Sequence, residues 1–389
     1  MQFFFPRLRR ITSGSTWIPE IDGLRFVAIA SVVLFHLGGE VYSKSGRVFN
    51  IHSWYVPLLQ LVSHGSRGVE IFFVISGFIL GRPFARHALL GEKKVRLGGY
   101  YLRRLTRLEP PYLLNLAIIA VCLMIYVPGL PLLYIVQHLL ASAAYVHGFV
   151  YGGVSAINAV TWSLEIEVQF YLLVPLLVTF FQVKSLFLRR SALILSILLL
   201  SIFQVWIEKQ AYSVKPQQFI YYTVIIYLQY FLAGFLLSDL YLVSFPRWRP
   251  SYAWDFVSLL CWPAVFYFDT PWYGIVLPFL ILLVCIGGFR GICFPRLFRV
   301  ESIALIGGMC YSIYLWHFFI IPLGFKATRH LHVTHDYLLD LIFQSCLLLP
   351  LVLVLSTVYY VLIERPCMDP KWPQKLFGRL KAAPDAGTA

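Results

Sequence analysis

An arginine and a histidine stand in a run otherwise suited to lipid: Arg25 and His36, within EIDGLRFVAIASVVLFHLGGE at residues 20–40. On a helix, the eleven steps between them at about 100° each return to within roughly 20° of the starting face, and the rise separates the side chains by about 16 Å. One stripe would then carry a permanently charged planar fork at one depth and, at another, an imidazole able to take up and return a proton near neutral pH. Snorkelling to an interface would account for either residue alone. Ionisable groups within spans are costly, however, and usually face a bundle interior or a cavity. More such groups follow: Arg103, Arg104 and Arg107 in YYLRRLTRLEP (100–110), Glu165 and Glu167 in TWSLEIEVQFYLL (161–173), and His317 in YSIYLWHFF (311–319).

The elements that must position these residues are membrane helices. Hydrophobic residues make up 59% of the 389 positions and charged residues 13%, and runs of about 17–25 apolar residues match a bilayer core. The expected fold class is all-α: a polytopic integral membrane protein with about ten transmembrane helices, near 22–40, 68–83, 112–128, 164–183, 191–207, 219–240, 253–268, 272–289, 302–322 and 338–363. The two least regular are 253–268 and 272–289, where Pro263, Pro271, Pro278 and Asp269 interrupt the pattern. Residues 132–147 carry Gln137, His138 and His147 and read as interfacial or re-entrant; an eleventh span there is the alternative.

With the N-terminal segment inside, the inner loops hold 24 Lys and Arg and the outer loops seven. That asymmetry predicts both termini in the cytoplasm. Topology and anionic lipid account for the net charge of +14, so no nucleic-acid partner is expected. No cleavable signal is expected, since MQFFFPRLRR and the acidic Glu20 and Asp22 precede the first apolar run. The seven cysteines show no C-x-x-C spacing, which indicates neither a disulfide framework nor a zinc site. The expected organisation is one transmembrane domain over 1–366 and a short cytoplasmic tail over 367–389.

DGLRFVAIASVVLFH resembles the N-terminal signature of the acyltransferase family 3 membrane proteins, and GVEIFFVISGFIL (68–80), YYLRRLTRLEP, TWSLEIEVQFYLL, YSIYLWHFF and YYVLIERP (359–366) continue the resemblance in the family's order. The resemblance implies a membrane O-acyltransferase, without a fused hydrolase-like domain, in a cell membrane, the bacterial plasma or inner membrane by preference. It would carry an acyl group, commonly acetyl, from cytoplasmic acyl-CoA to a hydroxyl of an extracytoplasmic glycan, lipid-linked sugar or small molecule. Acetyl-CoA or another acyl-CoA is then the donor, and no metal is required.

On this reading Arg25, Arg104 and Arg107 hold the donor's phosphates, while Arg103 serves topology. His36 is the proton-handling residue, oriented by Glu167, and His317 is the second candidate for that role or for acceptor binding. Glu165 is expected at the outer rim facing Lys209 or Lys215, Ser76 at a close helix contact, and Glu364 beside an inner arginine. Glu70 and Val168 depart from the family pattern, where an aspartate and a second acidic residue are usual. A transporter or flippase of an anionic or sugar substrate, its charged residues lining a path, is the alternative reading.

Overall fold

The computed structural model describes residues 8, 10, 11, 17–45, 49–211, 215–270, 272–331, 335–369, 372 and 374, with only the backbone at 211 and 215–218. Arg47, Pro271, the Lys215 side chain and most of the expected tail lie outside the described residues. The described chain is helical nearly throughout, joined by short loops, with a single isolated bridge between Asn50 and Asp336.

The main helices are α1 (Pro19–Lys44), α2 (Gly68–Leu90), α3 (Leu97–Tyr126), α4 (Leu132–Ala143), α5 (His147–Tyr151), α6 (Trp162–Leu177), α7 (Leu186–Ala211), α8 (Leu228–Asp239), α9 (Tyr252–Tyr267), α10 (Tyr273–Arg290), α11 (Glu301–Gly308), α12 (Cys310–Thr328) and α13 (Tyr337–Tyr359). Among the described residues, seven helical stretches are long and apolar enough to cross a membrane, or eight if the bent pair α11–α12 counts as one span. This is the fold of a polytopic membrane protein.

Two expected spans are built differently. Residues 219–240 do not form one helix: 3-10 turns at Lys215–Tyr222 and Val224–Ile226 precede α8. The Gln169 side chain donates to Tyr222 O at 3.0 Å and accepts from Val224 N–H at 2.8 Å. Irregular backbone is tolerated at membrane depth when protein groups satisfy it in this way. The expected 302–322 helix is broken at Met309, α11 and α12 meeting at 70°. The break follows Gly307 and Gly308, and a Cβ on Gly307 would collide with the Asp22 carbonyl of α1. Glycine there lets α11 lie directly on α1.

The same device joins α2 to α8. A Cβ on Gly77 would strike Phe231 O, and one on Gly234 would strike Val74 O, so the two backbones touch as small residues allow in membrane bundles. Helix α4 is half exposed and its 12 residues rise only about 18 Å, short of a crossing, in keeping with the interfacial or re-entrant reading. The last helix ends in a π turn at Tyr360–Glu364, which turns Glu364 into the bundle.

Candidate active site

Helices α1, α2, α3, α6 and the α11–α12 break enclose a cavity of about 130 Å³. Its polar wall is cationic: Arg10, Arg25, Arg104 and Arg107 line it together with Glu167, Glu364, Ser76 and Tyr171. Arg104 and Arg107 lie one turn apart on α3, so both side chains share its inward face. Asp22 holds the pair at α1, accepting from Arg25 Nη1 at 2.9 Å, from Arg10 Nη1 at 3.4 Å and from Trp17 Nε1 at 2.8 Å. The Nε atoms of Arg10, Arg104 and Arg107 are buried and have no partner in the protein. Buried guanidinium donors normally find acceptors, so these three fit an anionic ligand.

The three arginines expected to act together are therefore brought to one cavity. Arg10 joins them, although in the sequence it is one more positive charge before the first span. Asp22 is a site residue not among the sequence candidates, although its i,i+3 spacing to Arg25 is the signal that points to it. Glu364 accepts from Ser312 N–H at 3.0 Å and Ser312 Oγ at 2.5 Å, and it interacts electrostatically with Arg107 and Arg10.

The histidines form a separate pair. The ring centres of His36 and His317 are 5.2 Å apart, with Phe318 against His36 at 4.9 Å and Tyr314 against His317 at 5.6 Å. His317 Nδ1 lies 2.8 Å from Tyr314 O and 3.1 Å from Ile313 O. Carbonyl oxygens can only accept, so Nδ1 carries the hydrogen and Nε2 of the neutral ring is left with its lone pair. That Nε2 is buried without a protein partner. Tyr314 stands between this pair and the cavity, its hydroxyl bonded to Val160 O at 2.9 Å and to Ser163 Oγ at 2.6 Å.

Glu167 does not orient His36. Its carboxylate accepts from Ser76 Oγ at 2.5 Å and lines the arginine cavity, whereas the rings packed on His36 are Phe35, His317 and Phe318. The resemblance names both residues, but sequence blocks do not say which helices are neighbours. Ser76 is accordingly a polar partner, and Gly77 makes the close contact. Glu165 is not at the rim either: it is buried and accepts from the Gly148 N–H at 2.9 Å, at the start of α5. Lys209 instead lies 3.5 Å over the Trp272 ring. Glu70 is half-buried on α2, outside the cavity wall, its buried Oε2 lacking a protein partner.

The sequence profile of a family described as an acyltransferase domain matches residues 18–361. An O-acetyltransferase, OatA, of Staphylococcus aureus (strain NCTC 8325 / PS 47) is 25% identical over 354 residues, covering 82% of this chain and 52% of the relative. BcsY of Komagataeibacter xylinus, named a membrane-bound transacylase, is 26% identical over 387 residues, covering 94% of this chain and 85% of the relative. The chain thus spans about half the length of the OatA relatives it matches, 52%. No solved structure matches it. With a family match over most of its length, the chain belongs to the acyltransferase family 3 membrane proteins.

Proposed function

We propose that this protein takes an acyl group, in the simplest case acetyl, from acyl-CoA on the cytoplasmic side and delivers it to a hydroxyl of an extracytoplasmic glycan, lipid-linked sugar or secreted small molecule. The observation that carries this reading is the arginine cavity. Three buried guanidinium nitrogens without a protein partner are what a polyanionic phosphate ligand needs, since each offers a charge-assisted hydrogen bond. The names of the relatives, an O-acetyltransferase and a transacylase, support acyl transfer to oxygen.

In this reading Arg10, Arg25, Arg104 and Arg107 grip the phosphates, and the donor supplies a thioester. His317 Nε2, already an acceptor by its tautomer, takes the proton of the attacking hydroxyl. The hydroxyl oxygen bonds to the acyl carbon, the carbon–sulfur bond breaks, and the imidazolium returns the proton to the departing thiolate. His36, beside it, is the second proton-handling group. Glu167 is a positioning residue that holds Ser76 against the cavity wall. Tyr314 must swing aside for thioester and base to meet.

The charge asymmetry of the loops supports ten crossings with both termini in the cytoplasm. On that arrangement α8, with the 3-10 turns before it, and α9 complete the count although each is short. The test is release of free CoA from acetyl-CoA by the purified protein in lipid, with and without extracted surface glycan or lipid-linked sugar. Release that requires the acceptor is expected. Acceptor flux without thiol release would instead identify a transporter.

A further inference from the structure

Two further histidines meet away from the site described above. Nδ1 of His138, on α4, lies 2.6 Å from Nε2 of His147, at the start of α5, and Nδ1 of His147 lies 3.2 Å from Gly153 O. A carbonyl oxygen can only accept, so His147 Nδ1 carries the hydrogen and Nε2 of that neutral ring is an acceptor. His138 must then donate through Nδ1. The remaining lone pair falls on His138 Nε2, directed away from His147. His138 is 9% exposed and His147 1%, so one carbonyl and two buried imidazoles fix this acceptor in place.

Two tyrosines frame it. The ring centres of Tyr134 and Tyr151 are 4.2 and 4.3 Å from that of His138, and both tyrosines are exposed. On the arrangement proposed above, α4 and α5 lie on the outer side. Tyrosines of an interfacial belt need no buried imidazole beside them, and one lone pair is too few for a metal ion. Apolar ring faces bordering a fixed acceptor suit a pyranose, whose C–H faces lie on aromatic rings while its hydroxyls donate at the edge. The loop after α5 joins this cluster to the reaction centre. Ser155 Oγ is 2.7 Å from Ser142 Oγ of α4, Asn158 Nδ2 donates to Leu315 O of α12 at 2.9 Å, and Val160 O accepts from the Tyr314 hydroxyl.

We propose that Tyr134, His138 and Tyr151 form a sugar subsite for the acceptor, in which a pyranose ring stacks on a tyrosine and one of its hydroxyls donates to His138 Nε2. This rests on the acyl-transfer reading above and adds to it the class of acceptor, a glycosyl unit, and residues that hold it. His147 is a positioning residue that fixes the tautomer of His138. The sugar sits at one end of a loop whose other end bonds Tyr314, the side chain that separates the His317 base from the arginine cavity.

The test reads binding and turnover separately, on the full chain in lipid, with extracted surface glycan and extracted lipid-linked sugar as probes. Calorimetry without donor should show the wild type binding one of them, and which one binds gives the source of the sugar. Tyr151→Ala, at an exposed position, should weaken that binding about three- to tenfold, the range of an aromatic contact. It should raise the acceptor KM for CoA release by a like factor, with kcat and acetyl-CoA affinity nearly unchanged. Tyr151→Phe keeps the ring face and should bind as the wild type does. His138→Asn keeps a donor toward His147 but loses the outward acceptor, whereas His138→Gln places an oxygen near the Nε2 position and loses that donor. His138→Gln is expected to bind the sugar more tightly than His138→Asn. The reverse order, or a Tyr151→Phe as weak as Tyr151→Ala, would show that the cluster only braces α4 against α5 and would overturn the subsite, as would wild-type binding of neither probe. Acceptor-dependent CoA release with an unchanged KM in Tyr151→Ala would overturn it while leaving the acyl-transfer reading in place. Sugar binding that Tyr151→Ala weakens, in a protein whose wild type releases no CoA, would remove that reading and leave the sugar site.

Discussion

The imidazole of His317 packs 5.2 Å, centre to centre, from that of His36, and its Nδ1 is tied to main-chain carbonyls of its own helix. One ring of the pair is thereby locked with Nε2 as acceptor, which is the arrangement a general base requires. His317→Ala is expected to lower acyl transfer by about 10²- to 10⁴-fold while acetyl-CoA affinity stays nearly unchanged, because the phosphate-binding arginines are elsewhere. His36→Ala should also impair transfer. Full transfer by a folded His317→Ala protein would falsify the assignment of the base.

Arg104→Ala and Arg107→Ala each remove a charged donor from the cavity. A hydrogen bond to a charged group contributes about 1.5–3 kcal/mol, so each variant should weaken acetyl-CoA by about tenfold or more, and Arg10→Ala likewise. Arg25→Lys keeps the charge but loses the planar fork that Asp22 orients, and affinity should fall there as well. Calorimetry on these four proteins decides the matter; unchanged affinity throughout would leave the arginines as topology signals.

Away from the cavity, Asp239 of α8 is fully buried and bridges Arg189 Nε at 2.5 Å and Arg190 Nε at 2.6 Å at the start of α7. Removing one partner of a buried ion pair strands the other charge and typically costs about 3–5 kcal/mol. Asp239→Ala should therefore lower the unfolding midpoint in detergent markedly, and a midpoint equal to that of the wild type would show that water reaches the arginines.

Asp336 caps α13 from a loop. The N–H of Leu339, with the Tyr55 hydroxyl and nearby His52, holds its carboxyl below the usual value of 3.8. A folded-state value below the unfolded one means that the cap's contribution is complete above 3.8 and is lost as the pH falls from there through the folded value. Hydrogen exchange at the Leu339 amide, corrected for its intrinsic rate, should show constant protection at neutral and mildly acidic pH and loss only in that acid window. Asp336→Ala should lower protection at neutral and mildly acidic pH and abolish the acid transition, and an unchanged acid profile in that variant would assign the transition to another group.

Single-cysteine labelling reads the orientation. Reagent added from outside should reach substitutions at Asn50, Val154 and His330 but not at Lys93 or Leu188, as the distribution of Lys and Arg requires. Labelling of the Lys93 position from outside would reverse the protein and place the arginine cavity on the wrong face for a cytoplasmic donor.

The amino-acid sequence by itself determined the all-α membrane class and the family, and singled out Arg25, Arg104 and Arg107 as candidates, because hydropathy, charge asymmetry and short ordered blocks are local properties of a chain. The pairing of Asp22 with Arg25 was equally local, three residues apart on one helix. Which groups meet across helices was decided only by the tertiary structure. His36 met His317 and not Glu167, and Arg10 joined the cavity from a segment whose charge had looked merely topological. Such meetings depend on crossing angles and on how closely backbones approach. Those are set where Gly77 and Gly234 remove side chains between α2 and α8, and where Gly307 lets α11 rest on α1. The 70° break that follows sends α12 past His36, and hydrophobic periodicity carries no trace of it, since both halves are apolar helix.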